Sequence, residues 1–151
     1  MDIIIGCDNA AVQMKNAVKK LLAEKGVNVL DKGCFSEDDG IYYPNVAKAV
    51  CEEIIAGGFQ KRGILICGTG IGMAMAANKF KGIRAAVCHD NYSAERSILS
   101  NNGNVLCMGA RVIGIELAKK IVSEWITLNF TDGSSTPKVE AICAIETQTF
   151  R

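Results

Sequence analysis

No pair among the seven cysteines has C-x-x-C spacing, and their number is odd. That excludes a zinc ribbon and a thioredoxin-type motif. Most of the thiols (Cys7, Cys34, Cys51, Cys67, Cys88, Cys107, Cys143) sit in apolar runs, where a reduced cysteine behaves as a small hydrophobe. The expectation is a reduced, cytoplasmic protein. Only two prolines and no low-complexity tract argue against long disorder. Positive charge has no surplus: 17 basic residues face 16 acidic ones, a net +1. A nucleic-acid partner held by a strong field is not expected. No apolar run approaches the ~20 residues of a membrane span, so no membrane partner is expected either. Met1-Asp2 leads straight into Ile3-Ile4-Ile5-Gly6 without a basic stretch, which argues against a secretory signal.

What is present is ordinary globular material. The chain has 151 residues, 49% hydrophobic and 22% charged, enough for one domain over 1–151 with a real core. Short apolar runs alternate with longer amphipathic ones. Runs at 3–7, 27–30, 63–67, 83–88 and 105–108 read as strands. Helices are expected at 11–25, 44–56, 72–79, 92–99, 114–129 and 136–146. The strand runs are continuously apolar, as in a parallel sheet covered on both faces. The resulting expectation is an α/β, Rossmann-like three-layer sandwich. Its five-stranded parallel sheet carries helices on both faces and one extra helix follows at the C-terminus. Ligands of such folds sit beyond the carboxyl ends of the strands. That singles out Asp8-Asn9, Cys67 to Gly72, His89-Asp90 and Gly109 to Arg111.

Cys67-Gly68-Thr69-Gly70-Ile71-Gly72 joins a buried strand to a helix. Its glycines permit tight turns and close approach of a ligand to the backbone. Free amides at the helix start favour an anion or a developing oxyanion, and the same field favours an ionised Cys67 sulfur. Thr69 offers a hydroxyl donor, or a simple helix cap. Several other assignments fail on spacing. The third glycine arrives one residue early for G-x-G-x-x-G, and no Gly-Lys-Ser/Thr follows. A cysteine phosphatase needs an arginine six residues after its nucleophile, where Met73 stands. A cysteine hydrolase needs a histidine base. His89 is the only histidine, and nothing in the sequence places it beside Cys67.

These residues resemble a known family, the type B ribose-5-phosphate isomerases and galactose-6-phosphate isomerase subunits. The resemblance is carried by Gly6-Cys7-Asp8, Tyr43-Pro44, the block 63–73, Ala76-Ala77-Asn78-Lys79, Gly82 to Ala86, Asn104-Val105-Leu106 and Gly109 to Gly114. It implies an aldose–ketose isomerase that uses neither metal nor cofactor. A base would move a proton between C1 and C2 of a phosphorylated sugar through a cis-enediolate. Cys67 matches that base. Gly68, Thr69, Gly70 and Gly72 match the loop that holds the enediolate oxygens. By the same resemblance Asp8, Asn9 and Tyr43 would bind sugar or phosphate, Asn101 would lie near the enediolate, and Arg111 and Lys138 would reach the phosphate. Asp8 could instead be a helix N-cap, and Arg111 a surface residue. A dimer or tetramer with sites shared between subunits is also implied.

The departures fall in the ring-opening and phosphate-binding parts, and the proton-transfer residues are intact. Asn9 stands where the family usually has a phosphate-binding histidine. Ser100 stands where it has the histidine that opens the furanose ring. Ser134 and Lys138 replace two phosphate-binding arginines. Ribose 5-phosphate is the family default. A tetrose 4-phosphate is the alternative these departures suggest, because its phosphorylated O4 cannot close a furanose. A heteromeric subunit, or one that binds sugar phosphate without turnover, remains a further alternative. His89 reads as structural or peripheral, or as a replacement for a lost histidine.

Overall fold

Three of the apolar runs become central strands, and they place the site. The computed structural model describes residues 1–150. Strands β1 (Asp2–Cys7), β2 (Asn28–Asp31), β3 (Arg62–Cys67), β4 (Ala85–Val87) and β5 (Val105–Gly109) form one parallel sheet in the order β2-β1-β3-β5-β4. A short 3-10 turn at Asn9–Ala11 follows β1. The helices are α1 (Val12–Glu24), α2 (Tyr43–Ala56), α3 (Ile71–Ala77), α4 (Asn91–Leu99), α5 (Ile115–Trp125) and α6 (Thr136–Thr149). From β1 the chain moves outward to β2 and then crosses to β3 on the other side. The β1/β3 boundary is therefore the topological switch point, where such sheets bind ligands.

Alternation along the strands separates two cores. Ile3, Ile5, Ile64, Ile66, Leu106 and Met108 face α1, α4 and α5. Ile4, Leu65, Val105 and Cys107 face α2 and α3. Gly6 lets α2 lie close on β1, since a Cβ there would fall 2.6 Å from Val46 Cγ1. The expectation that every strand is buried on both faces fails at the edges. β2 alternates between exposed and half-buried, and β4 is only half-buried. Each has a strand on one side only. β4 is also shorter than the apolar run that suggested it. Asn78 donates to Ala85 O (2.9 Å) and accepts from Ala85 N (2.8 Å), so a side chain takes the place of the next strand.

Lys15 is the one fully buried charge among the described residues. Its Nζ donates to Asp31 Oδ1 (2.9 Å) and Cys34 O (2.6 Å) and lies 4.4 Å from the Phe35 ring centre. Lys19 reaches the other Asp31 oxygen at 3.1 Å. Burial pushes the Asp31 carboxyl upward, but bonds from Lys15, the Gly33 amide and Lys19 outweigh it and hold it below its ordinary value.

α6 runs to Thr149, three residues beyond the expected helix. It belongs to neither core. Val139 is its one buried residue, while Ile142 and Ile145 are 42% and 61% exposed. Glu146 accepts from the Gly82 amide at 2.6 Å, which ties α6 to the loop preceding β4.

Candidate active site

β3 delivers Cys67 to the carboxyl edge of the sheet, at the switch point. The thiol is 4% exposed, and its Sγ accepts the Gly70 amide at 3.1 Å. Among the described residues it is the one sulfur that accepts a backbone N–H. The thiols of Cys7, Cys34, Cys51 and Cys88 instead point at carbonyl oxygens. A donor aimed at sulfur favours S⁻, whereas a carbonyl beside it favours S–H. Burial pushes Cys7 and Cys51 up to about 12 and Cys88 up to about 11. Fully buried Cys107 is also pushed well up by burial. All seven thiols are free.

Gly70 makes the loop feasible. Its φ is +78°, and a Cβ there would lie 2.9 Å from Met108 C. Thr69 Oγ1 accepts the Ile71 amide at 3.3 Å. It therefore satisfies the first free amide of α3 and still keeps its own proton to donate. Gly68 and Thr69 direct their amides to no internal acceptor among the described residues. The loop amides and the Thr69 hydroxyl thus offer donors to an oxyanion, beside a sulfur able to carry a proton.

Three further residues lie against this loop. Asp8 follows β1, and its amide donates to Ile66 O at 3.3 Å. Its Oδ1 caps the following turn through the Ala10 amide at 3.0 Å. Tyr43 opens α2 and covers Gly72, where a Cβ would fall 2.9 Å from Tyr43 Oη. Arg111 covers Gly68, with Nη1 3.2 Å from the place of a Cβ. Asn9 is exposed in the turn after Asp8.

Ser100 and Asn101 do not join them within one chain. α4 starts at the carboxyl edge and runs back, so Ser100 and Asn101 lie just before β5, at the amino edge. Ser100 Oγ accepts from Arg96 Nη1 at 3.2 Å, and Asn101 Nδ2 donates to Arg96 O at 3.1 Å. Asn101 lines a cleft of about 410 Å³ between α6 and the sheet, with Arg84 and Ile142 on its walls. Lys138 lies on the first turn of α6. β3 alone, at six residues, separates the two groups by roughly 20 Å.

The sequence reading did not resolve His89. Its Nε2 accepts the Gly109 amide at 2.8 Å, at the end of the strand beside Cys67. The available signal was its position, two residues beyond a strand on the ligand-binding edge.

A doubly wound parallel sheet with a thiol and an amide-lined loop at its switch point defines a class of α/β proteins built to act on small anionic ligands. The particular family follows from comparison. The Ribose/Galactose Isomerase family model matches residues 3–142, and the chain belongs to that family. It is 51% identical over 149 residues to D-erythrulose-4-phosphate isomerase 2 of Mycolicibacterium smegmatis, covering 97% of each chain. It is 47% identical to ribose-5-phosphate isomerase B of Escherichia coli, covering 95% of each. The solved ribose-5-phosphate isomerase B of Clostridium thermocellum superposes with a TM-score of 0.92 at 38% identity, covering 98% of this chain and 99% of that one.

Proposed function

We propose that this sugar-phosphate isomerase interconverts an aldotetrose 4-phosphate and its ketose, with Cys67 as the base. The observation that carries the reading is the Cys67 sulfur under the Gly70 amide, in a chain with Ser100 in the ring opener's place. The thiolate takes the proton from the carbon next to the carbonyl. Charge moves onto the oxygens of a cis-enediolate, where the Gly68 and Thr69 amides and the Thr69 hydroxyl stabilise it. The thiol then returns the proton to the neighbouring carbon as the hydroxyl proton passes from O2 to O1, which leaves the ketose. Ring opening needs a group that moves a proton near neutral pH, and a serine hydroxyl does not. A sugar whose O4 is phosphorylated has no furanose to open. The name of the Mycolicibacterium smegmatis relative, an erythrulose 4-phosphate isomerase, supports the same substrate.

Asp8 and Tyr43 bind the sugar hydroxyls, and Arg111 and Asn9 reach toward the phosphate. Ser100, Asn101 and Lys138 come from a second copy of the chain. The place of Ser100 and Asn101 at the opposite edge of the sheet supports a shared site in a homodimer or tetramer, as do the exposed Ile142 and Ile145 of α6. Seven free thiols support a reducing compartment, the cytoplasm.

The Escherichia coli relative favours ribose 5-phosphate as the second reading. An isomerase assay on purified protein with erythrose 4-, ribose 5-, allose 6- and galactose 6-phosphate separates them. The expected result is erythrose 4-phosphate ahead by at least about tenfold in kcat/KM, lost in Cys67→Ala. Turnover of ribose 5-phosphate without the tetrose overturns the substrate. Full activity in Cys67→Ala overturns the base.

A further inference from the structure

We propose that His89, as a neutral imidazole, is a positioning residue that clamps the end of β5 against the Cys67 loop, and that its protonation releases this clamp. The inference rests on the reading of that loop as the enediolate cradle.

β4 pairs with β5 only as far as Val87 and Cys107, with one more bond from the Cys88 amide to Cys107 O at 3.1 Å. β5 continues to Gly109, beyond the end of its neighbour. The buried Gly109 amide would have no ladder partner on that side. The His89 side chain takes the missing place, with Nε2 2.8 Å from the amide. A buried amide without an acceptor is costly, so this bond holds the strand end where it is.

The other side of Gly109 is the active-site loop. A Cβ on Gly109 would lie 2.6 Å from Thr69 Cα and 2.8 Å from Gly68 O. The Ala110 amide donates to Cys67 O at 2.8 Å and the Arg111 amide to Gly68 O at 3.0 Å. Residues 109–111 are therefore one backbone layer between the imidazole and the cradle. They set the height of the Gly68 and Thr69 amides and the root of Arg111. Movement of a few tenths of an ångström in this layer misplaces the oxyanion donors, whose value depends on fixed geometry.

The clamp requires an unprotonated Nε2, and geometry therefore places the proton on Nδ1. An imidazolium carries a proton on both nitrogens and would point an N–H at the Gly109 N–H. Burial pushes His89 below its ordinary 6.5, with Asp90 opposing. This preserves the acceptor form near neutral pH. Other titratable groups on the elements around it are Cys107 on β5, Arg111 just after it, Cys67 on β3, and Cys88 beside it on its own segment.

Because the chain has one histidine, ¹⁵N-histidine labelling gives a single ring to follow. The first measurement is NMR titration of the wild-type ring and the Gly109 amide from about pH 7.5 to 4.5. The Nδ1–H tautomer is expected, with ring and amide moving at one midpoint below 6.5. The second is kcat on erythrose 4-phosphate for wild type, His89→Ala and His89→Gln. Glutamine keeps an acceptor at the Nε2 place and does not titrate. His89→Ala is expected to lose about tenfold in kcat, and His89→Gln to recover most of it. The ratio of wild type to His89→Gln should fall through the NMR midpoint, since ionisation of the substrate phosphate and of Cys67 cancels in it. A protonated Nε2 at neutral pH, a Gly109 amide that ignores the ring, or a ratio flat with pH overturns the clamp. Failure of the cradle reading is separate: it shows as Cys67→Ala retaining turnover, and the NMR titration needs no substrate.

Discussion

Gly70→Ala tests the loop most directly, because two independent costs meet at one atom. The residue is left-handed, with φ +78°. A non-glycine residue there loses about 1–2 kcal/mol. Its Cβ would also meet Met108 backbone atoms at 2.9, 3.0 and 3.0 Å. Met108 belongs to β5, which β3 and β4 hold by ladder bonds, so the obstacle cannot rotate away as a side chain would. Overpacking of that kind costs about 1–3 kcal/mol. Together the two predict a loss of about 2–5 kcal/mol of stability. At about 2 kcal/mol per molar, the urea midpoint should drop by about 1–2.5 M. Trp125 is fully buried and is the only tryptophan, so its fluorescence reports the transition, read at one fixed protein concentration. If the loop yields instead, the Gly70 amide lifts from the Cys67 sulfur. A lost charge-assisted bond of about 1.5–3 kcal/mol then lowers kcat roughly ten- to 150-fold under folding conditions. A variant within about 0.5 kcal/mol of wild type, with kcat unchanged within about twofold, refutes the account of this loop.

Gly72→Ala should behave differently, because its Cβ meets the ring of half-exposed Tyr43 rather than backbone. KM should rise several-fold with stability nearly unchanged, as read by paired kinetic and urea measurements. Asp31→Asn should cost about 3–5 kcal/mol in urea unfolding, since it leaves the buried Lys15 charge without its carboxylate. The folded Asp31 carboxyl sits below its ordinary 3.8, so its contribution is present above that value and is lost as pH falls through the folded one. Acid-unfolding curves of Asp31→Asn should therefore lack part of the wild-type slope below about pH 4. Ser100→His restores the missing imidazole and should raise kcat/KM on ribose 5-phosphate more than on erythrose 4-phosphate; equal effects on both sugars would refute the ring-opening argument.

The architecture was legible because periodicity and strand-end chemistry agree. Ile3 to Cys7 and Gly63 to Cys67 read as buried strands and are buried. The glycine loop after Cys67 read as an oxyanion cradle because glycine, threonine and cysteine at a strand end exceed what a turn requires. Edge strands were less legible. Whether β4 is covered depends on Asn78, seven residues before Ala85, and no local pattern shows that pairing. α6 was legible as a helix, but its end and its apolar exposure were not, because it packs into neither of the two cores. His89 was equally hidden, because its role depends on β4 stopping two residues short of β5.

The matched motifs therefore divide by what they do. Asn78 and Asn104 are as much part of the resemblance as Cys67, yet they hold backbone. Asn104 accepts from the Arg84 amide and donates to Gly82 O, both at 2.8 Å, which fixes the approach to β4. Cys67 to Gly72 and Gly109 to Arg111 form the other group, two loops from adjacent strands bonded through Cys67 O and Gly68 O. The Cys67 loop is thus attached to the most buried strands of the sheet. Of the substituted positions, Asn9 stands beside Asp8 at the same edge as Cys67, whereas Ser100 lies at the opposite edge, on the end of α4. A change there leaves the central strands and the Cys67 loop untouched. On the proposed reading the ring-opening position can therefore diverge while the proton-transfer chemistry stays fixed, as Ser100 and Cys67 occupy opposite ends of one sheet.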